Sequence, residues 1–374
     1  MKVQPMLLSA LAAIASEAAT ANTVHVCSTC AHTTIQAAVN DAAAGDTIVI
    51  AAGHYSENIT IVGKQLVLEG AVGATAGVSE VDGASRGPVF TLGSGVTGDT
   101  PYLIEIHNLT ISQGNHLSGT GQGGGIQVRA GAYLHLYNST VTRNYALYGA
   151  GISVNTPRAP VSVISGCIID SNQTPMPRRG GDYKGGGIGL FGGSTVSVQA
   201  STLTRNLSQD GGGLYADAGT ALTIDGATFS ENDAEPYGTP FGPTGGGGGG
   251  VESYGAFSIS NSHFVDNLAT GTSGGGGLLL PLSASDSHQI SNTIIARNNV
   301  VDTSGIVGGD GGGIQAYGRD TGLSSLTLSG VYIVQNLAGG GLVYASSSVA
   351  LSVQNTVISG NSGGQICDNS GCTP

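Results

Sequence analysis

Apolar and polar residues alternate in short runs along most of this chain, and the runs return in a fixed order. Apolar-polar-apolar triplets at 134–136, 196–198, 222–224 and 351–353 have the two-residue period of β-strands. A second kind of short strand follows each cluster of glycines, and a third carries an apolar residue three positions before an asparagine. No helical period lies between them. The pattern predicts three short strands in each repeating unit.

Particular residues mark both ends of the repeating unit. Glycine clusters followed by an aliphatic residue end at Ile126, Ile152, Ile188, Leu214, Val251, Leu278, Ile314 and Leu342. An asparagine closes an apolar stretch at Asn115, Asn144, Asn172, Asn206, Asn232, Asn267, Asn298, Asn336 and Asn361. Units of roughly 30 residues that each hold three strands are typical of a right-handed parallel β-helix. We therefore predict an all-β fold with three short sheets and about eleven coils.

The longest glycine run, Gly245 to Gly250, poses the question of what the glycines do. A phosphate-binding loop would need Lys-Ser or Lys-Thr after the glycines, and the GxGxxG match at 119–124 lacks the helix and later acidic residue of a dinucleotide site. A corner repeated in every coil favours residues that adopt positive φ, of which glycine is the best and asparagine the next. We interpret the run as such a corner, and we expect the asparagine amides to hydrogen-bond from coil to coil.

The spacing of the glycine clusters alternates between short and long coils. Successive aliphatic residues after the clusters lie 26, 36, 26, 37, 27, 36 and 28 positions apart, and the extra residues follow Asn172, Asn232 and Asn298. These long loops should stack into a ridge along one corner of the coil, where they either brace one another or bind a partner. We predict binding of an extended glycan by the ridge residues Arg178, Arg179, Asp182, Tyr183, Asp233, Glu235, Tyr237 and Phe241.

Composition and charge argue against some classes of binding partner. The chain has 64 glycines among 374 residues and 40% apolar residues, which is enough for a long core, and its formal net charge is −12. That charge argues against nucleic acid or an anionic membrane as a partner. Residues 1–21, with Lys2, an apolar run and the small residues Ala19 to Ala21, read as a signal peptide. The mature chain has no stretch long enough to span a membrane, so we expect an exported, extracellular or cell-surface protein.

The spacing of the five cysteines predicts which of them form disulfides and which is a free thiol. In an exported protein the close pairs Cys27/Cys30 and Cys367/Cys372 predict local disulfides, with metal ligation as the second interpretation. Cys167 belongs to a column of small residues two positions before the apolar column, and we expect it to be a buried thiol rather than a nucleophile. The column is Ser139, Cys167, Ser201, Ala227, Ser262, Thr293, Val331 and Thr356. No metal or other cofactor is expected.

Residues 34–70, TIQAAVNDAAAGDTIVIAAGHYSENITIVGKQLVLEG, resemble the opening of exported pectin-lyase-like β-helix proteins. The resemblance implies a short amphipathic capping helix, a first strand at GDTI and a G-x-Y-x-E turn. FSEN at 229–232 and FVDN at 264–267 resemble the FxxN mark of polymorphic outer-membrane protein repeats, although GGG or GAG stands where those repeats have GGA. The ending, NTVISGNSGGQICDNSGC, is similar to the last coil and tail of bacterial β-helix proteins.

The resemblance covers roughly residues 24–372 and implies one β-helix domain at 22–374 on the cell outer membrane or outside the cell. Within that domain we expect the cap and first coils at 22–108, the repeat coils at 109–361 and a tail at 362–374. The NTD, DD, GHG and RIK-type motifs of polygalacturonase-like enzymes are absent from the sequence.

The function predicted from these observations is that of a non-catalytic, adhesin-like module that binds glycans, surfaces or neighbouring proteins. The outward sheet positions are mostly Ser, Thr, Gln or Gly without convergent acids, and the charges Asp82, Arg86, Glu105, Asp170 and Asp225 are scattered. The ridge, rather than a sheet face, is therefore the expected site. An exposed row of Ser and Thr side chains also suggests the hypothesis of ice binding, but His135 and Gln289 interrupt that row.

The alternative is a polysaccharide lyase or glycoside hydrolase with an unfamiliar site. Two catalytic carboxylates must lie within about 10 Å of each other, and Glu231 and Asp266 share a register in adjacent coils. They are weak candidates, because Arg205 and Arg297 flank them in the same row. That arrangement is more typical of a charge ladder between coils.

Overall fold

The structure, a computed structural model, describes residues 21–72, 78–175, 182–235, 237–239, 242–244, 246–271, 274–301, 311–337, 340–345, 347–368 and 371–372. They form a parallel β-helix with three long sheets of 12, 12 and 11 strands. We number the sheets by their order after the glycine cluster of each coil. The prediction of three strands in each of about eleven coils is confirmed.

Sheet 1 holds the strands that follow the glycine clusters. Its strands are Ile59–Ile61, Phe90–Leu92, Ile126–Arg129, Ile152–Asn155, Ile188–Phe191, Leu214–Ala216, Val251–Ser253, Leu278–Leu282, Ile314–Gly318, Leu342–Tyr344, Ile366–Asp368 and Gly371–Cys372. All pair in parallel except the last, which runs antiparallel to its neighbour. Equivalent residues of successive coils are in register, as Ile188, Leu214 and Val251 are.

Sheets 2 and 3 complete each coil. The strands of sheet 2 are Thr23–Val26, Thr47–Ile50, Leu66–Gly70, Tyr102–His107, Ala132–Tyr137, Ser162–Ser165, Thr195–Gln199, Ala221–Asp225, Ala256–Ser260, His288–Ser291, Ser324–Ser329 and Val349–Gln354. The strands of sheet 3 are Gly53–Ser56, Ser79–Asp82, Leu109–Ser112, Thr140–Thr142, Ile168–Asp170, Thr202–Thr204, Thr228–Ser230, His263–Val265, Ile294–Ala296, Tyr332–Val334 and Val357–Ser359.

Short strands after the asparagines add small sheets that the sequence pattern does not predict. Their strands are Asn115–His116 with Tyr145–Ala146, and Leu207–Ser208, Asp233–Ala234, Leu268–Thr270 and Asn299–Val301. An antiparallel hairpin, Tyr237–Thr239 with Gly242–Thr244, lies in the second long loop. The loops therefore leave the coil from short paired strands, which fix the backbone where each loop begins.

The N-terminal end of the core is capped by the helix Ile35–Asp41, as the resemblance implied. Ile35, Ala38 and Val39 are buried against the first coils. The carboxylate of Glu57, which closes the G-x-Y-x-E turn, accepts hydrogen bonds from the backbone N–H of Ile35 at 2.8 Å and of Gln36 at 2.9 Å. This carboxylate satisfies donors that a helix N-terminus leaves unpaired.

A row of buried asparagines runs through the coils and confirms the predicted amide ladder. Nδ2 of Asn144 donates to Oδ1 of Asn172 at 3.0 Å and to the carbonyl of Ile111 at 3.1 Å, and Oδ1 of Asn172 also accepts the backbone N–H of Asn144. The ladder comprises Asn144, Asn172, Asn206, Asn232, Asn267, Asn298, Asn336 and Asn361. Each interior amide thus has partners in both adjacent coils.

Two details of the corner prediction are wrong. Asn115 lies one residue beyond the ladder position, which Gly114 occupies, donating its N–H to Oδ1 of Asn144 at 2.8 Å. The ladder asparagines are also not the residues with positive φ. The residue before each ladder position takes that conformation, as Glu231 (φ 54) and Asp266 (φ 57) do. The asparagines are therefore required for their side-chain amides rather than for their backbone freedom.

The glycine run confirms the interpretation as a coil corner. Gly248 has a φ of 59, a conformation that side chains with a Cβ rarely adopt. At Gly249 a Cβ would collide with the carbonyl oxygen of Leu268 in the next coil. One glycine is needed for its backbone angle and the other for the close approach of adjacent coils.

The cysteines lie largely as predicted. Cys27 and Cys30 form a disulfide. Cys367 is disulfide-bonded, and its backbone pairs with that of Cys372. Cys167 is a free, buried thiol, and burial raises its pKa to about 11. Such a thiol is not a nucleophile at neutral pH.

Residues 1–20 of the predicted signal peptide lie outside the residues that the structure describes. Within the described residues, no helix is long and apolar enough to cross a membrane.

Candidate functional site

The outward face of sheet 1 carries an unusual group of side chains. Because side chains alternate along a strand, the residue after each aliphatic position points away from the core. Tyr215, Glu252, Leu279 and Gln315 occupy this position in four successive coils. We call the group formed by Lys184, Asp210, Tyr215, Glu252, Tyr254 and Tyr317 the sheet 1 cluster.

Aromatic rings line up along this face over four successive coils. The rings of Tyr148 and Phe191 meet edge to face at 6.0 Å between centroids, and Phe191 stacks on Tyr215 at 6.0 Å. Tyr215 in turn contacts Tyr254 at 5.9 Å with a tilt of 49°. Three steps between these coils span about 14 Å. Phe191 and Tyr215, in the middle of the row, are buried, whereas Tyr148 and Tyr254 at its two ends are half-buried and reach solvent.

Lys184 places a positive charge beside the rings. Its Nζ lies 4.8 Å from the centroid of the Tyr215 ring and 3.0 Å from Oδ2 of Asp182. Burial acts to lower the pKa of Lys184, but the hydrogen bond and charge of Asp182, together with Asp210 and Asp217, raise it above the usual value. Lys184 therefore stays charged and partly neutralises the acids around it.

Asp210 lies opposite Lys184 in the adjacent coil. Burial, followed by the charge of Asp182, raises its pKa to about 6, while Lys184 and the N–H groups of Gly246 and Gly247 act in the opposite direction. A partly exposed carboxyl group with this pKa is able to hold a proton in mildly acid solution and to release it near neutrality. Asp210 is the group of the cluster best suited to proton transfer.

Glu252 is 3% exposed, and burial, followed by the charge of Asp210, raises its pKa well above the usual value. Its Oε2 has no hydrogen-bond partner among the described residues. A Cβ on Gly247 would lie 2.9 Å from this oxygen, so the glycine makes room for the carboxyl group. Tyr254 hydrogen-bonds to this carboxyl group. A buried carboxyl with one unpaired oxygen is still costly to the fold, and such costs are concentrated at functional sites.

The predicted ridge residues lie partly beside this cluster. Asp182 pairs with Lys184, and the carbonyl of Tyr183 accepts the backbone N–H of Asp210 at 3.1 Å. Burial, followed by the charge of Glu235, raises the pKa of Asp233 to about 7. The structure thus brings the returning end of the first long loop onto the sheet face.

The remaining ridge predictions cannot be placed in the same way. Arg178, Arg179 and Phe241 lie outside the described residues, and Tyr237 is described only by its backbone, which begins the hairpin. The expectation that outward sheet positions hold no convergent acids is wrong, because the charge of Asp210 contributes to raising the pKa of Glu252 on sheet 1. The parallel register and the glycines between them bring these two carboxyl groups close to each other.

The weak catalytic candidates Glu231 and Asp266 lie on another corner of the coil. Both are exposed, and Asp266 forms a two-pronged ion pair with Arg297 at 2.8 and 2.7 Å. Arg205 pairs with Asp170 at 2.5 Å. The pair of Asp266 with Arg297 agrees with the predicted charge ladder, whereas Arg205 pairs with Asp170, which lies outside that row, and not with Glu231.

The other single charges named from the sequence have local partners. Glu105 lies 3.3 Å from His107, Asp225 accepts hydrogen bonds from Ser260 and Asn261, and Arg86 donates to the carbonyl of Ser56. Asp82 lies 3.5 Å from His54. In the described part of the chain, no group of three or more His, Cys, Asp and Glu side chains is arranged to hold a metal ion.

Comparison with known proteins identifies the fold. No curated protein matches the sequence. The catalytic domain of a GH87 α-1,3-glucanase, solved in complex with tetrasaccharides, is 15% identical to this chain, with a TM-score of 0.42. The match covers 91% of this chain and 69% of that one. Residues 94–294, more than half of the chain, match the family model described as the right-handed beta helix region, and the chain belongs to this family.

Proposed function

We propose that this protein binds an extended, uncharged polysaccharide along the outward face of sheet 1. The observation that carries the proposal is the pair of half-buried rings Tyr148 and Tyr254, which end a row of packed aromatic side chains beside the sheet 1 cluster. Sugar rings present apolar faces that stack on such side chains, and their hydroxyl groups pair with neighbouring polar groups. A linear glycan parallel to the coil axis would contact several coils at once.

The charges support an uncharged glycan in particular. The chain carries a net charge of −12, and Asp182, Asp210 and Asp217 surround the single lysine of the cluster. An anionic polysaccharide would be repelled both at long range and at the site. The polar partners offered by the cluster instead suit sugar hydroxyls. Together with the predicted signal peptide, this preference supports a role for the protein outside the cell.

Cleavage of the glycan is the second candidate function, and the raised pKa of Asp210 favours it. In glycoside hydrolysis a carboxylic acid donates its proton to the glycosidic oxygen, the bond to the anomeric carbon breaks, and water attacks that carbon as a second carboxylate assists. Asp210, with a pKa of about 6, would be the acid. Asp182 and Asp217, whose charges raise the pKa of Lys184, are the candidates for the second carboxylate, which assists the attacking water. A lyase is less suited, because elimination needs a uronic acid, which carries a charge.

Binding is tested on a panel of soluble α- and β-linked glucans, mannan, xylan and polygalacturonate. Tyr254→Ala should weaken binding of the uncharged polysaccharide about 10-fold, because it removes one stacking ring. Tyr332→Ala is the matched control, since this tyrosine is 50% exposed on sheet 3 and away from the site. Equal affinities for Tyr254→Ala and the parent, or a preference for polygalacturonate, would refute the proposed site.

Cleavage is tested by the release of reducing ends from the polysaccharide that binds. Asp210→Asn should keep binding and lose at least 100-fold in rate, because the amide cannot donate the required proton. The rate of the parent should fall as pH rises through about 6, where Asp210 loses its proton. Asp266→Asn serves as the control and should retain activity. Binding with no release of sugars by the parent would leave the protein as a binding module.

A further inference from the structure

A cavity opens on the same face of sheet 1, toward the N-terminal end of the coil. A groove of about 230 Å³ is lined by Thr97, Thr120, Gln122, Gln127, Arg129 and Asn155 among others. It adjoins a wider cavity of about 610 Å³, with which it shares Thr97 and Pro157. We call the smaller cavity the N-terminal groove. None of its lining residues belongs to the sheet 1 cluster.

The N-terminal groove is a built array of planar polar groups. Nε2 of Gln127, which is 5% exposed, donates to Oγ1 of Thr120 at 2.9 Å, and Nδ2 of Asn155 donates to Oε1 of Gln122 at 3.4 Å. Nη2 of Arg129 donates to the carbonyl of Ser94 at 3.0 Å. These contacts orient the side chains, and each still has donor or acceptor sites to offer. The groups are held in place before any ligand arrives.

The polar groups of this groove suit the hydroxyl groups of a sugar. Among the described residues, Arg129 has no carboxylate within ion-pair distance. Asp99 lies at the mouth of the wider cavity and accepts a hydrogen bond from Ser94 at 2.5 Å. Its negative charge offsets part of the positive charge of Arg129 and Arg158. Amides and a guanidinium group pair well with neighbouring hydroxyl groups of a sugar, and Pro157 adds an apolar surface.

The register of sheet 1 places the N-terminal groove in line with the cluster. In the column directly before the sheet 1 strands, Gln122 of the groove is followed in successive coils by Tyr148, Lys184 and Asp210, and all four residues are partly exposed. Arg129 is likewise followed by Asn155 and Phe191. Three coil steps from Gln122 to Asp210 span about 14 Å. A single straight glycan chain can therefore reach both places.

We propose that the N-terminal groove is a second sugar subsite, which binds one uncharged unit of the polysaccharide that lies on the sheet 1 cluster. This inference rests on the proposed function. The groove and the cluster would then act as two linked sites, so that occupation of one raises the effective concentration of sugar at the other. Affinity should rise sharply once an oligosaccharide is long enough to span both.

The experiment uses a series of oligosaccharides from disaccharide to octasaccharide, made by partial acid hydrolysis of the panel polysaccharide that binds. Titration calorimetry on the whole protein should give a step in affinity between the short and long members. Arg129→Gln should abolish the step, weakening binding of the octasaccharide about 10-fold and leaving the disaccharide unchanged. Tyr254→Ala should weaken every length. Arg143→Gln, at an exposed residue directly after the sheet 3 strand Thr140–Thr142, is the matched control.

Each result separates the subsite from the proposed function. An Arg129→Gln protein that binds all lengths as the parent does, or that loses affinity equally for all lengths, would overturn the subsite while leaving the cluster standing. If Arg129→Gln melts well below the parent, Asn155→Ala replaces it with the same expected length dependence. Failure of every panel polysaccharide to bind would overturn both proposals together.

Discussion

Replacing Glu252 by glutamine should stabilise the protein at neutral pH. The pKa of Glu252 is raised in the fold by burial and by Asp210, so its contribution to stability is present below the unfolded pKa of about 4.3 and is lost as pH rises toward the folded value. Glutamine has nearly the same shape and no charge. We expect Glu252→Gln to match the parent near pH 4 and to exceed it by about 1–3 kcal/mol at pH 7 to 8.

The measurement is a series of denaturant unfolding curves at pH 4 to 8 for the parent and the variant. Asp210 and Asp233, with pKa values of about 6 and about 7, should lower the stability of both proteins over the same range. His288 acts in the opposite direction, because burial lowers its pKa and its contribution is lost as pH falls below about 6.5. The difference between the two proteins removes the contributions of Asp233 and His288 and keeps those of Glu252 and of its interaction with Asp210.

Glu69→Gln is the matched control, because this acid is exposed on sheet 2, far from Glu252, and its loss should leave the curve unchanged. A difference between Glu252→Gln and the parent that does not depend on pH would contradict the assignment of a raised pKa. A gain in stability accompanied by weaker glycan binding or slower cleavage would identify the buried acid as part of the site. Functional groups often carry such a cost.

The second large effect is expected for Asn267→Ala in the middle of the ladder. The change removes the acceptor for the backbone N–H and Nδ2 of Asn232, and the donor for the carbonyl of Phe229 and for Oδ1 of Asn298. Buried groups left unpaired cost about 1–3 kcal/mol each. We expect a loss of at least 3 kcal/mol in the free energy of unfolding, transmitted to the adjacent coils.

Thermal and denaturant unfolding of three variants provides the test. Asn361→Ala, at the end of the row, should cost less than Asn267→Ala because only one adjacent coil contributes a ladder asparagine. Gln289→Ala on the exposed face of sheet 2 should cost little. Equal stability of Asn267→Ala and Gln289→Ala would refute the ladder as a source of stability.

The parts of the structure that could be predicted are those in which one position repeats. The ladder, the buried aliphatic columns and the glycine corner each depend on a residue that returns in coil after coil, so its physical cause is visible in the chain itself. The misplacement of Asn115 has the same origin: glycine and asparagine stand side by side at 114 and 115, and only the hydrogen bond to Asn144 shows which one holds the ladder position.

The sheet 1 cluster could not be predicted from repetition, because its members differ from coil to coil. Asp210 precedes one glycine cluster and Glu252 follows the next, and their proximity depends on the backbone after the hairpin, where Gly246 and Gly247 meet Asp210. A signal was nevertheless present. The residue after each aliphatic position reads Gln127, Ser153, Gly189, Tyr215, Glu252, Leu279 and Gln315, and the tyrosine and glutamate stand out in that column.

The asparagine row also has a direction. Every ladder amide donates toward the following coil and accepts from the preceding one, and the last, Asn361, donates to Oε1 of Gln365 at 3.0 Å. Amide dipoles aligned head to tail polarise one another and add along the axis. The interior therefore carries a permanent electric polarity, with its positive end at the C-terminal coils, and the side chain of Gln365 terminates it there as a cap terminates an α-helix.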